Sequence, residues 1–305
     1  MSVIGHGLDA VVAAVLVASV ATAESGAVVG LEGQPSFRDL GGYMTVDGRT
    51  LREGLVFRSG ELPRATDADL ETLEELGVRT VVSFLTEGET EYRGPDCLPE
   101  GVREISLPIT GDVGGIPDAA NLLVEARRTG DFRHFPPEFN PLVHEELVSG
   151  MADSQYSELF EILSDDSNYP VVFHCSHGIH RTGTAAALVL SALGVPWEVI
   201  REDYLCSNET RASEVMPRIE ELKTLASEID MSPEDRARNT AAIEAFYLLE
   251  PADIDAPRPK GGSADSMGTW RTVSTCRKAI WRLFARTCSS ERPGADERRA
   301  GRLAR

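Results

Sequence analysis

Lysine is almost missing from this chain of 305 residues: only Lys223, Lys260 and Lys278 are present, so nearly all of its 30 basic residues are arginines. Cysteine is also scarce, with five residues at 97, 175, 206, 276 and 288, an odd number with no CxxC pair. That pattern excludes a disulfide framework and a paired-cysteine zinc ribbon, and it points to a reducing compartment. Long apolar runs are missing as well. The one extended run, residues 8–23, is short for a membrane span, and no Lys or Arg precedes it, as the entry side of a signal peptide requires. We therefore expect a cytoplasmic protein with an apolar N-terminal extension over 1–27, export through residues 8–23 being the alternative. No internal repeat is apparent.

What is present is acid. The net charge is −19, unevenly spread: residues 258–305 carry 12 basic and 4 acidic groups, which leaves 18 basic against 45 acidic over residues 1–257. Such a body does not bind nucleic acid non-specifically, because the phosphate backbone demands a basic face. An acidic, lysine-poor surface is a halophilic signature, since molar salt shortens the Debye length to about 3 Å and screens the self-repulsion. Hydrophobic residues make up 42%, enough for a packed core.

The chemistry concentrates in one stretch, Pro170-Val-Val-Phe-His174-Cys175-Ser176-His177-Gly178-Ile179-His180-Arg181-Thr182-Gly183. An apolar run after a turn signal reads as a buried strand, and the Ala/Leu-rich segment 184–193 before Gly194 reads as a helix. Strand, tight loop and helix N-terminus make an anion cradle of converging backbone N–H groups. A cysteine at the start of the cradle is stabilised as a thiolate, and Arg181 can grip two oxygens of a tetrahedral anion. The expected reaction is attack by Cys175 on phosphorus, giving a phosphocysteine that water hydrolyses. Ser176, His177, Gly178, Ile179, His180 and Arg181 would hold the phosphate, Gly178 allowing close backbone approach. Thr182 would stabilise the sulfur as it leaves, and His174 would support the loop from behind. No cofactor or metal is required.

The pattern His-Cys-(five residues)-Arg-Thr-Gly resembles that of the cysteine-dependent protein tyrosine phosphatases. Three further segments are similar to signatures of the bacterial and fungal atypical, dual-specificity and lipid-capable branch: Ser36-Phe-Arg38-Asp39-Leu-Gly-Gly-Tyr43, Phe57-Arg58-Ser59-Gly-Glu-Leu62 and Asp203-Tyr-Leu-Cys-Ser-Asn208. The resemblance covers roughly residues 28–250. It implies an α/β phosphatase domain with a mostly parallel central sheet and helices on both faces. It further implies hydrolysis of phosphotyrosine, with phosphoserine and phosphothreonine as further substrates on a phosphorylated protein or peptide. Two departures matter. Ser83-Phe84-Leu85 stands where the family has Asp-Leu-Arg, and Gly178-Ile-His-Arg181 stands where it often has Gly-Lys-Asp-Arg. The missing lysine weighs against highly charged inositol lipids, and the missing Asp removes the family's expected general acid.

His180 takes that Asp position, and an imidazolium beside a phosphate dianion would have its pKa raised. Asp112 and Asp131, in the Gly/Pro-interrupted segment 111–141, are the alternative donors, swinging in from a lid. Arg38 and Asp39 read as a structural pair with each other, and Arg58 as either a buried ion pair or a contact supporting the cradle. Elsewhere the pattern predicts strands over 78–85 and 102–109. It predicts helices over 67–76 (capped by Thr66 with Asp69 closing a capping box), 119–128, 154–163, 197–205, 210–228 and 233–248. Beyond 250 the pattern dissolves into a basic tail, 251–305, expected to be disordered. Its stretch 271–286 could alternatively form a basic helix that touches acidic surfaces, membranes included. The sequence sets no oligomeric state.

Two rivals come from other classes. His174, Cys175, His177 and His180 crowd seven residues, as in a metal module, but no zinc spacing matches and Arg181 would be repelled by a metal beside it. A phosphate-binding pseudoenzyme would keep the cradle but lack a proton donor. An inositol-lipid phosphatase is the alternative within the phosphatase reading.

Overall fold

The computed structural model describes residues 26–256 and the two residues 285–286. The apolar stretch 8–23 and most of the tail expected to be disordered, including nearly all of 271–286 where a basic helix is the alternative, lie outside the described residues.

A five-stranded sheet runs through the protein in the order β1-β3-β6-β4-β5. The strands are β1 (Arg38–Asp39), β3 (Val56–Ser59), β4 (Thr80–Ser83), β5 (Arg103–Ser106) and β6 (Val171–His174). β6 lies between β3 and β4, parallel to both, β5 extends the parallel set, and β1 closes the far edge antiparallel. A short β2 (Thr50–Leu51) lies outside this sheet and pairs with β7 (Ala285–Arg286), so part of the tail returns to the body.

Alternation along the strands explains two cores. Phe57, Val81 and Val172 face a smaller cluster that includes Leu73 of α1 (Asp67–Glu75). Val56, Val82, Val171 and Phe173 face the larger cluster beneath the remaining helices. Val171, Val172 and Phe173 are each fully buried, and such burial contributes about 1.5–3 kcal/mol per side chain relative to exposure. This is the α/β fold with helices on both faces, unequally shared.

Along the chain the helices continue as α2 (Glu87–Arg93), α3 (Ala119–Thr129), α4 (Phe139–Glu146), α5 (Asp153–Ile162), α6 (His180–Ala192) and α7 (Trp197–Thr210). They end with α8 (Ala212–Ser227), α9 (Pro233–Tyr247) and α10 (Pro251–Asp255). The capping box of Thr66 and Asp69 forms as expected. A second box, Thr86 with Glu89, starts α2, a helix the sequence reading did not predict because its seven residues are too short and polar for a periodic signal. The domain also runs past residue 250: Ile254 of α10 is fully buried.

Three segments apart in sequence meet below the end of β6. Asp203 on α7 accepts from Arg38 Nε (3.0 Å), from the Tyr43 hydroxyl (3.0 Å) and from Arg58 Nη1, all buried. Arg38 also donates to the Asp203 carbonyl at 2.7 Å. Burial alone would raise the Asp203 pKa, but the two guanidinium groups pull it down to about 2. The expected Arg38–Asp39 pairing is therefore corrected: adjacent residues of a strand point to opposite faces, and Asp39 instead accepts the N–H groups of Gly41 (2.8 Å) and Gly54 (2.6 Å).

Candidate active site

The loop 175–179 joins the carboxyl end of β6 to the N-terminus of α6, at the carboxyl ends of the central strands, where open α/β sheets bind ligands. Its peptide planes are pinned from outside. Arg58 Nη2 donates to Gly178 O at 2.8 Å, and the Glu61 amide donates to Ser176 O at 3.3 Å. In a trans peptide the carbonyl and the next N–H point oppositely, so anchoring these carbonyls outward aims the amides of Ile179 and His177 inward. Arg58 thus fills both roles the sequence left open, ion pair and support of the cradle. Gly178 has φ +67°, and a Cβ there would lie 2.8 Å from Ser59 O and 2.9 Å from Gly60 N. Its glycine is required by the packing of the loop on β3, a reason independent of the phosphate.

Cys175 is 3% exposed. Burial pushes its thiol pKa up, but the charge of Arg181 and the hydroxyl and amide of Thr182 outweigh this and leave it below the ordinary value. The Thr182 hydroxyl is itself buried and closes no well-aligned hydrogen bond, so its effect on the sulfur is one of proximity. Behind the loop His174 Nε2 lies 2.8 Å from Asp96 Oδ2, with the carboxylate off the line of the ring N–H. Burial pushes His174 down, the Asp96 charge more than compensates, and the net pKa is raised.

Arg181 is anchored by a carboxylate the sequence reading missed. Its Nη1 and Nη2 meet Glu89 Oε2 and Oε1 at 2.8 and 2.6 Å, and Nη1 also reaches Phe84 O (2.8 Å) and Ile109 O (3.3 Å). Burial pushes Glu89 up, while Arg181 and Arg127 lower it further, so it stays ionised. Arg127, from α3 and 2% exposed, donates to Ser176 Oγ at 2.7 Å and lies 3.7 Å from Glu89. A capping-box glutamate and a helix arginine give no hint of such roles until the fold brings them together.

The proposed proton donors separate. His180 is 8% exposed and lies among Phe139, His144 and Phe246. Its Nε2 lies 2.8 Å from Asn140 Oδ1, and the Asn140 amide group donates to Ala245 O, which fixes Oδ1 as the acceptor and Nε2–H as the donor. Burial, then the neighbouring His144 and Arg181, push its pKa well below the ordinary value. This is opposite to the raised pKa expected beside a phosphate dianion, because here the imidazole is desolvated by rings and flanked by cations. Asp131 is tied to Arg133 at 2.7 and 2.9 Å, and that pairing holds its carboxyl below the usual range. Asp112 is exposed and accepts the Asp118 N–H at 3.1 Å. The segment 111–141 carries α3 and the start of α4, joined by turns and irregular chain.

The histidines that suggested a metal module diverge: His174 faces Asp96, His177 packs on Phe246 and Tyr247, and His180 faces Asn140. Among the described residues, no group of three His, Cys, Asp or Glu is arranged to hold a metal ion. A carboxyl does face the cradle where none was expected. Glu61 is 8% exposed, its Oε1 is 3.3 Å from Arg93, its Oε2 has no partner, and burial raises its pKa against the pull of Arg93 and Arg127.

A buried low-pKa thiol, inward N–H groups and a carboxylate-anchored arginine form a phosphate cradle, and the family model for the tyrosine phosphatase family matches residues 29–285. The chain belongs to the tyrosine phosphatase family. It is a phosphoric monoester hydrolase. It is 28% identical over 235 residues to the triple specificity protein phosphatase PtpB of Mycobacterium tuberculosis, an alignment covering 68% of this chain and 79% of that protein. It is 34% identical over 179 residues to a putative tyrosine-protein phosphatase of Cupriavidus necator, covering 57% and 61% of the two chains. Among solved structures it is similar to the core catalytic domain of a PP-IP phosphatase of S. cerevisiae (14% identity, 65% and 84% coverage, TM-score 0.27) and to P. aeruginosa TpbA (16% identity, 76% and 89% coverage, TM-score 0.26).

Proposed function

We propose that this phosphatase hydrolyses phosphotyrosine in proteins or peptides, with phosphoserine and phosphothreonine as further substrates, through a phosphocysteine on Cys175. The observation that supports the mechanism is the placement of buried Cys175 at the start of a loop whose carbonyls are held outward, six residues before an arginine fixed by Glu89; the charge of Arg181 lowers its thiol pKa. Cys175 Sγ attacks phosphorus, the ester P–O bond breaks, and the leaving oxygen takes a proton; water then cleaves the P–S bond and releases phosphate. Arg181 binds the equatorial oxygens, with Glu89 holding its plane. Thr182 stabilises the thiolate as it departs.

The proton comes from Glu61 in this reading. Glu89 is held ionised by two arginines, whereas Glu61 lines the same cleft as Ser176 with a raised pKa. One observation favours Asp112 as the second reading: Arg181 donates to Ile109 O, so the loop ahead of Asp112 reaches the cradle.

We also infer that the acidic body works at high salt and that the protein is cytoplasmic. The free thiols of Cys97, Cys175 and Cys206 support a reducing compartment.

The test is a panel of phosphotyrosine, phosphoserine and phosphothreonine peptides and inositol lipids assayed in high salt, with Cys175→Ser as control. Phosphotyrosine peptide should be turned over fastest, and the control should be inactive. Inositol lipids hydrolysed far faster than the peptide would overturn the substrate assignment; turnover by Cys175→Ser would overturn the phosphocysteine.

A further inference from the structure

Beside the cradle lies a cleft of about 540 Å³ whose wall includes Ser176 and His177 of the loop. Four arginines and three glutamates also line it. Three of the arginines have a carboxylate beside them: Arg64 has Glu214 at 3.1 Å, Arg93 has Glu61 at 3.3 Å, and Arg218 has Glu221 at 2.5 Å, although Arg93 Nε and Arg218 Nε close no hydrogen bond. Arg211 is the fourth. It sits at the junction of α7 and α8, held by its N–H to Ser207 O (3.3 Å) and by its carbonyl, which accepts from Glu214 and Val215 at 2.9 Å each. The residue is 3% exposed, and its Nη1 is buried with no hydrogen-bond partner.

A buried guanidinium that donates nothing is costly, because desolvation is lost without a charge-assisted bond in return. Burial accordingly pushes its pKa down. Such a group calls for an explanation, and a ligand that supplies the missing acceptor is one that fits a residue lining a cleft. The acceptor must be an oxyanion, since the guanidinium fork matches carboxylate and phosphate geometry. Ser176 and His177 of the loop wall the same cleft, so a substrate held in the cradle is within reach to supply it.

We propose that Arg211 forms a second oxyanion subsite, which takes a phosphate neighbouring the phosphotyrosine in the same peptide. This rests on the phosphopeptide reading above. A soluble peptide is favoured over a lipid headgroup because residues 1–257 carry 18 basic against 45 acidic groups. An anionic membrane repels so acidic a body, whereas a peptide brings only its local charges to the arginine-lined cleft.

The test measures binding, which separates it from catalysis. The Cys175→Ser protein is titrated by calorimetry with a peptide bearing phosphotyrosine beside phosphoserine, and with the same peptide bearing unmodified serine. The doubly phosphorylated peptide should bind about tenfold more tightly, the size of one charge-assisted hydrogen bond. That advantage should vanish in Cys175→Ser with Arg211→Gln and be partly kept with Arg211→Lys. Equal affinities in the Arg211 protein, or an advantage that survives Arg211→Gln, would overturn the subsite. So would binding to vesicles carrying an inositol bisphosphate headgroup with no preference between the peptides. Failure of the phosphotyrosine reading shows separately, as absence of turnover of any phosphotyrosine peptide by the enzyme with Cys175 intact.

Discussion

Glu89 holds Arg181 edge-on, carboxylate oxygen to guanidinium nitrogen at 2.6 and 2.8 Å, with both side chains nearly closed to solvent. The pair links the helix after β4 to the start of α6, and it sets the plane of the Arg181 guanidinium.

Replacing Glu89 by Gln should lower kcat/KM for an aryl phosphate by about ten- to a hundredfold, the worth of one charge-assisted contact in the transition state. It should also reduce stability by about 3–5 kcal/mol, because it leaves the Arg181 and Arg127 guanidinium groups without their countercharge. Steady-state kinetics and urea denaturation measure the two. An unchanged kcat/KM would show that Arg181 needs no carboxylate to orient it.

The donor is read from leaving groups. Glu61→Gln should lose about 10²–10⁴-fold on phosphotyrosine and far less on an activated aryl phosphate whose leaving group needs no proton. Selective loss in Asp112→Asn, with Glu61→Gln active on both, would move the role to Asp112. His180→Asn should lose equally on both substrates, because His180 is neutral and shapes the loop.

Acid should destabilise the fold through its histidines. The pKa of His144 is pushed down to about 3, chiefly by burial, and those of His177 and His180 are lowered as well. All three are neutral when folded but titrate near 6.5 when unfolded, so stability is full above about pH 6.5 and falls as the unfolded chain takes up protons below it. Each contributes a slope of up to about 1.4 kcal/mol per pH unit. His174, whose pKa is raised, acts oppositely: its contribution is present below about 6.5 and is lost as pH rises through its folded value. Urea midpoints from pH 7.5 to 4.5 should fall below 6.5, less steeply in His180→Asn. A flat profile would contradict the buried neutral imidazoles.

Salt should stabilise. Raising ionic strength from about 0.1 M to 1 M cuts the Debye length from about 10 Å to 3 Å and relieves the repulsion among the acidic groups. Melting temperature and turnover should both rise over that range. Full activity with an unshifted melting temperature below 0.1 M would sink the halophilic reading.

The sequence by itself determined the centre of this protein. The loop from His174 to Gly183, its strand and its helix are all local, because an apolar run, a glycine and a helix former act within a few residues of one another. The long helices were legible for the same reason. Only the tertiary structure decided what those groups become. Glu89 sits on a helix too short for a periodic signal, yet it lies 92 residues from the arginine it anchors. Asp203 gathers Arg38 and Arg58 from 165 and 145 residues away, where the sequence suggested a pairing between neighbours. His180 had its pKa direction reversed because Phe139, His144 and Phe246 surround it, and burial is set by residues the local sequence does not contain. Local pattern fixes which groups a chain can offer, while desolvation and partner charges, both products of long-range packing, fix what each group does.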